Sequence, residues 1–474
     1  MSNFPYVEQY RPTLHFSPLF GWMNDPNGLV YSNGVWHLFY QHYPMDTVWG
    51  PMHWGHAVST DLVTWQHLPI ALAPDVLGYI FSGSAVIDQQ NTSGLFKEKS
   101  CNNLVAFYTA SLNLPQHKMI DIQSQCVAYS TDGGMHWQKY HGNPVVSNPF
   151  IGCFRDPKVI WHEASQHWIM VVTCGQSIGF YRSKNLIDWQ KTSEFGQQDG
   201  FHSQGPWECP DLFEMPLTNG KTKWVLIVGI GSGCFEDSSG TQYFVGDFDG
   251  ETFRNNAPAS EVKWLDIGRD YYATQTWFNA PNQRHVGISW FSNWQYARNT
   301  DTECFRSSMT AVKEFRLVQN ENGDHLHQTF ASEMLQGVLL QKTDSVLNGL
   351  HAHVFYLKGF VNFAEKQTAC ITLFDGELSI CLHKTDDAVI FELFRCYQGK
   401  DDVMRQKFPH HYQVNQAFSG KCFDFELLVD HGLTEFHFGN GKVSISQLAF
   451  PAQTKTTPQL SGDWQTLEFA IIEE

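Results

Sequence analysis

A polar turn that returns an aromatic ring to the interior recurs along the first half of this sequence, and nothing else in the chain constrains the fold as tightly. Ser59-Thr-Asp-Leu-Val-Thr-Trp65, Ser130-Thr-Asp-Gly-Gly-Met-His-Trp137 and Ser183-Lys-Asn-Leu-Ile-Asp-Trp189 share one shape, and Gly246-Asp-Phe-Asp-Gly-Glu-Thr-Phe253 is a looser copy. Their aromatic ends lie 72, 52 and 64 residues apart, room for about four strands and their loops. The intervals hold short runs of β-branched and aromatic residues between turn signals, such as Gly34 to Tyr40, Leu104 to Ala110, His167 to Thr173 and Trp224 to Ile230. Such runs read as strands, and no convincing amphipathic helix interrupts them before residue 320. The expectation is an all-β chain whose first part is a β-propeller; the repeats alone leave the number of blades open.

After Phe315-Arg-Leu the pattern breaks at Asn320-Glu-Asn-Gly-Asp-His325, and alternation returns in Phe423-Asp-Phe-Glu-Leu-Leu-Val429 and Lys442-Val-Ser-Ile-Ser446. The expected division is a propeller over 1–325, a linker over 326–344 and a β-sandwich over 345–474, the last serving as a structural prop. A chain of 474 residues has room for two full cores.

Composition narrows the function. With 48 acidic and 31 basic residues the net charge is −17, so nucleic acid and anionic membrane are poor partners. No apolar run is long enough to span a bilayer. The first ten residues lack a charged n-region and an apolar h-region, which makes the cytoplasm the simplest expected location. The 11 cysteines are odd in number and scattered without a Cys-x-x-Cys pair, which argues against a disulfide framework and a zinc site. Aromatic residues make up 15% of the chain, 16 of them Trp. Most of these rings fill cores, and the remainder suit stacking against sugars.

Three carboxylates stand out because each is followed, within two residues, by a proline in an aromatic or charged setting: Asp25 in Trp22-Met-Asn-Asp-Pro-Asn-Gly28, Asp156 in Arg155-Asp-Pro157, and Glu208 in Trp207-Glu-Cys-Pro210. Cleaving a glycosidic bond through a covalent intermediate needs one carboxylate as nucleophile and a second carboxyl as proton donor. A third carboxylate can grip sugar hydroxyls where positive charge develops. Taken singly, Asn-Asp-Pro-Asn-Gly is usually a turn, Arg-Asp a local charge pair, and Glu208 an ordinary strand-end residue.

Together with these segments, His15-Phe-Ser-Pro18, His37-Leu-Phe-Tyr-Gln41, Trp49-Gly-Pro-Met-His-Trp-Gly-His-Ala57, Phe81-Ser-Gly-Ser84, Gln242-Tyr-Phe-Val-Gly246, Asp270-Tyr-Tyr-Ala273 and Ser292-Asn-Trp-Gln-Tyr296 follow in order. The whole set resembles the β-fructofuranosidases of glycoside hydrolase family 32, the invertases, exo-inulinases and levanases. The resemblance runs from about residue 13 to residue 317 and continues more weakly into Glu435-Phe436 and Gly439-Asn-Gly441. It implies five blades around an axial active site, followed by a β-sandwich. It implies Asp25 as nucleophile, Glu208 as acid/base, and Asp156 as the transition-state stabiliser, with Arg155 keeping Asp156 ionised. Trp22, Met23 and Asn24 would wall the nucleophile, and Gln41, Trp49, Phe81, Ser82 and Trp294 would line a fructose pocket. Apolar neighbours Trp207, Cys209 and Pro210 would raise the Glu208 pKa. Tyr272 and Gln275 receive no role.

The implied activity is retaining exo-β-fructosidase action on sucrose or β-fructans, with no metal and no organic cofactor. A fructosyltransferase using the same carboxylates and a catalytically silent sugar-binding relative stand as alternatives. The expected partner is a small sugar, and self-association into a homodimer is left open. Thr300 to Arg306 departs from the family pattern, as does Gly349 to Asp401.

Overall fold

The computed structural model describes residues 8–113, 121–217, 220–320, 323–343, 347 and 349–472. The amino-terminal stretch 1–7, most of the segment read above for a leader, lies outside the described residues, as do 344–346 at the expected joint between domains.

Five antiparallel sheets follow one another along the chain. Their first strands are Gly21–Ser32, Tyr79–Ile87, Phe154–His162, Trp207–Pro216 and Tyr272–Thr276. These strands pack side by side, each against the next and the fifth back against the first, closing a ring around one axis. The architecture is a five-bladed propeller. Its last blade is completed by the hairpin Lys313–Asn320 and Gly323–Phe330, so the strand crosses residue 325, where the sequence pattern put the domain edge. Phe305–Arg306 pairs in parallel with Gly21 and Trp22, tying blade five to blade one.

The repeated turn joins the third and fourth strands of a blade. The serine donates to the acidic or amide side chain two residues on, at 2.9 Å in Ser59–Asp61, 2.8 Å in Ser130–Asp132 and 3.1 Å in Ser183–Asn185. That side chain in turn accepts backbone N–H groups ahead of it, as Asp61 does from Val63 and Thr64. The turn is therefore satisfied locally, as Asx turns are. It throws the following aromatic onto the preceding blade: Trp65 against Trp277, Trp137 against Phe39, Trp189 against Phe107, and Phe253 against Phe180 and Phe195. Each contact seals one blade to its neighbour, with Phe253 buried and the three tryptophans half-buried.

Two sheets of six and five strands form the following sandwich, packed on an apolar core that includes Phe355, Leu357, Phe391, Phe436 and Phe438. Its edge strand Gln341–Thr343 falls inside the segment expected to be a linker. Cys370 and Cys381 face each other across two paired strands and form a disulfide. The sequence argues against a disulfide framework, and this single bond arises from strand register: directly opposed positions bring the two Cα atoms to 4.1 Å.

The seam between propeller and sandwich is polar and buried. His15 Nδ1 lies 2.8 Å from Asp430 and its Nε2 2.9 Å from Glu435, with all three side chains fully buried. Lys313 also pairs with Glu435. The two acids hold His15 protonated, its pKa pushed up to about 9 against the opposing effect of burial.

Candidate active site

Every innermost strand carries a β-bulge at the same depth along the axis. The register shifts fall at Asn24-Asp25, Phe81-Ser82, Asp156-Pro157, Cys209-Pro210 and Ala273-Thr274. A bulge inserts a residue and re-aims its side chain, and prolines are tolerated there because the ladder is already interrupted. Asp156, Cys209 and Ala273 take the left-handed conformation, with φ of 64°, 48° and 54°. The prolines seen beside the carboxylates in the sequence are thus the mark of the bulges that turn those carboxylates inward. At Gly83, just past the second bulge, a Cβ would stand 1.9 Å from the carbonyl oxygen of Phe107, so no other residue fits.

The bulges surround a cavity of about 290 Å³ lined by Asn24, Asp25, Gln41, Trp49, Phe81, Ser82, Gln123, Arg155, Asp156, Glu208, Trp294 and Arg298. The structure therefore gathers Asp25, Asp156 and Glu208, taken from three blades, with seven of the nine expected binding residues. Trp22 and Met23 are the exceptions. Trp22 is fully buried, donates from Nε1 to Asn24 Oδ1 at 2.7 Å, and lies beneath Trp294 with ring centroids 6.1 Å apart. Met23 points away into the core between blades one and five. Adjacent strand residues alternate sides: Met23 leaves for the core, and Trp22 backs the cavity wall through Asn24 and Trp294.

Asp25 is buried and its Oδ2 accepts from Ser82 Oγ at 2.6 Å and from Cys209 Sγ at 3.4 Å. Burial raises its pKa, the Glu208 charge adds to the rise, and the Ser82, Asn24 and Cys209 donors oppose it. Asp156 Oδ2 accepts from the backbone N–H of Cys209 at 3.0 Å and meets its Sγ at 3.7 Å, so one sulfur touches both aspartates. Burial, outweighing the nearby Arg155, and the charges of Glu208 and Asp25 push Asp156 up to about 7.

The surroundings of Glu208 differ from the apolar pocket expected. Arg155 donates to Oε1 from Nη2 at 2.6 Å and Nε at 3.2 Å, and Tyr272 Oη donates to Oε2 at 2.5 Å. The charge of Arg155, with Nε 3.9 Å from Asp156, favours the ionised form of that carboxylate as expected, against the larger effect of burial, while its hydrogen bonds go to Glu208. The bulge at Asp156-Pro157 lets Arg155 and Asp156 both line the cavity, where the guanidinium reaches across to the next blade. The sequence does not single out Gln123, and it gives Tyr272 no role and Arg298 no defined place at the cavity. Room for the Tyr272 ring comes from Gly229, where a Cβ would lie 2.9 Å from it; no motif in the chain signals that packing. Gln123 Oε1 accepts from Arg155 at 3.4 Å.

One layer further along the same strands, buried polar groups link the blades and close the axis. Gly83 N–H donates to Asn27 Oδ1 at 3.1 Å, Ser84 Oγ to Pro157 O at 2.9 Å, Lys158 Nζ to Asp211 at 3.0 Å, and Thr276 N–H to Asp211 at 2.6 Å. Beneath the carboxylates the cavity therefore has a floor. Among the described residues no group of three or more His, Cys, Asp or Glu side chains is arranged to hold a metal ion.

Fold and cavity together define a β-propeller of the glycoside hydrolase type, with its carboxylates on the inner strands. The profile of the Glycosyl hydrolases family 32 N-terminal domain matches residues 15–329, and the chain belongs to that family. It is 50% identical over 333 residues to the levanase of Bacillus subtilis, covering 69% of this chain and 48% of that protein; the chain thus spans about half the length of that relative. With the extracellular exo-inulinase of Aspergillus niger it shares 39% identity over 398 residues, 78% of this chain and 71% of the relative. Among solved structures, exo-inulinase from Aspergillus awamori superposes with a TM-score of 0.86 at 31% identity, covering 98% of both chains. Fructofuranosidase from Schwanniomyces occidentalis complexed with fructose gives 0.84 at 31%, covering 99% of this chain and 98% of that one.

Proposed function

We propose that this chain is a retaining exo-β-fructosidase that releases terminal β-D-fructosyl units from sucrose or β-fructans. The observation that supports the reading most is the convergence of Asp25, Asp156 and Glu208 on one floored cavity. In the first step Asp25 attacks the anomeric carbon while Glu208 gives its proton to the departing glycosidic oxygen. In the second, Glu208 takes a proton from water, whose oxygen displaces Asp25 and frees fructose. Asp156 stays outside both bond changes and accepts from the sugar hydroxyls. Ser82 and Cys209 occupy one oxygen of Asp25 and hold the carboxylate in place for attack.

Arg155 and Tyr272 act on Glu208 in turn. The guanidinium holds Oε1 through two donors, and the phenol fixes the direction of Oε2. The floor of linked polar groups leaves no exit for a continuing polymer, so only a chain end enters. A time course on sucrose, inulin and levan tests this: free fructose should appear from the first minutes with no internal oligomers. Early inulotriose and larger products from long inulin, with little fructose, would contradict the exo reading.

A further inference from the structure

Arg395 belongs to the sandwich, yet its side chain is fully buried against the propeller. Its Nη1 donates to Asp270 Oδ2 at 2.6 Å and to Leu448 O at 2.9 Å. Its Nη2 donates to Tyr296 Oη at 2.8 Å and to Phe408 O at 2.9 Å, and Nε reaches the same carbonyl at 3.1 Å. All five guanidinium N–H directions are anchored, in part, on two propeller residues. The guanidinium also lies over the Phe408 ring, 3.6 Å from its centroid. Tyr296 Oη donates to Asp270 Oδ1, which closes a triangle among Arg395, Asp270 and Tyr296.

Both propeller members of that triangle stand two residues from a side chain of the site. Asp270 precedes Tyr272, the donor to Glu208 Oε2. Tyr296 follows Trp294, which forms a wall of the cavity. The short path matters because two residues leave little slack, and the segments are pinned further: the Trp294–Tyr296 turn is closed by Tyr296 N–H donating to Asn293 O at 3.4 Å. Asn293 Nδ2 donates to Arg269 O at 2.9 Å, and Arg269 Nη2 donates to Gln295 Oε1 at 2.7 Å. A planar guanidinium with fixed donor directions suits such a clamp, and an ammonium does not reproduce it.

We propose that Arg395 is a positioning residue for the cavity, by which the sandwich sets the placement of Tyr272 behind the proton donor and of Trp294 in the sugar-binding wall. The inference rests on the reading of Glu208 and Trp294 given under Proposed function. It assigns the second domain a part in turnover beyond mere support. A displacement of about 1 Å at a reacting group costs up to about a hundred-fold in rate, so a clamp two residues away has leverage.

Arg395→Met alone would leave Asp270 buried and unpaired, which threatens folding. The informative variant is therefore Arg395→Met with Asp270→Asn, which removes both charges, beside Tyr296→Phe, which removes only one hydroxyl, and Arg395→Lys. For the double variant, folded by circular dichroism, kcat should fall about ten-fold and KM for sucrose should rise several-fold. Tyr296→Phe should move both parameters the same way by less, and Arg395→Lys should recover only part of the loss. A merely stabilising residue would lower the active fraction and leave KM alone. Crystal structures of the variants read the positions of Trp294 and Tyr272 directly, whatever the wild-type chain hydrolyses, so a wild type inactive on every β-fructoside would sink the functional reading without deciding this one. Unmoved Trp294 and Tyr272 in the double variant, or unchanged kcat and KM in both folded variants, would overturn the proposal.

Discussion

Replacing Asp156 with Asn should abolish turnover and at the same time make the fold more stable at neutral and alkaline pH. Asp156 is 6% exposed, and burial with two like charges beside it holds its pKa at about 7 rather than the ordinary 3.8. A folded-state pKa above the unfolded value means that the native chain binds this proton more tightly. The resulting stability is fully present below about pH 4 and is lost as pH rises through 7. At about 1.4 kcal/mol per unit, the cost of keeping Asp156 ionised at pH 8 has a ceiling of roughly 4 kcal/mol. Asparagine keeps an oxygen to accept from the Cys209 N–H and carries no charge, and Arg155 retains Glu208 as its partner. At roughly 2 °C per kcal/mol for a chain of this size, the variant should melt several degrees above wild type at pH 8. The gap should shrink steadily toward pH 4. Scanning fluorimetry across pH 4–8 reads that gap, and fructose release from sucrose reads activity. A gap independent of pH, or a folded variant within ten-fold of wild-type turnover, would refute the reasoning.

Two further outcomes are expected. Trp294→Ala removes a ring that stacks over Trp22 and forms the cavity wall. Losing about 1–2 kcal/mol of contact should raise KM roughly ten-fold on sucrose, inulin and levan alike; a change confined to one substrate would place the ring beyond the terminal fructose. His15 sits between Asp430 and Glu435 in the domain seam with its pKa at about 9. Its contribution is fully present below pH 6.5 and is lost as pH rises through 9. Urea midpoints should fall over that window in wild type, and His15→Gln should cost about 3–5 kcal/mol and flatten the dependence. A wild-type midpoint that holds steady from pH 6 to 10 would contradict the charged seam.

Much of the architecture could be read in the chain because its cause is local. The serine–aspartate turns satisfy their own backbone and need only a few adjacent residues, so Trp65, Trp137 and Trp189 mark blade after blade. The carboxylate segments were legible for a similar reason: Pro26, Pro157 and Pro210 record bulges that exist to turn a neighbour inward. What escaped depends on contacts between distant segments. Tyr272 meets Glu208 across 64 residues of sequence, and only the ring of blades brings them together. Arg155 acts on its sequence neighbour Asp156 through charge, but its hydrogen bonds go to Glu208, 53 residues away on the next blade, which adjacency does not reveal. Met23 turns to the core and Trp22 sits behind Asn24 and Trp294, because the bulge at Asn24-Asp25 re-aims those two side chains and interrupts the face that adjacency suggests. The Cys370–Cys381 bond follows from strand register, which cysteine spacing does not encode.

The division of labour between Asp25 and Glu208 is open to direct capture. Glu208→Gln incubated with a β-fructoside bearing an activated leaving group can form the fructosyl ester but lacks the base that activates water. Rapid acid quench, pepsin digestion and mass spectrometry would then locate the bound sugar. The adduct should sit on the peptide containing Asp25, be absent from Asp25→Ala with Glu208→Gln, and decay when azide is added. An adduct on Asp156, or turnover in Glu208→Gln with no ester at any time point and inversion at the anomeric carbon, would contradict the account.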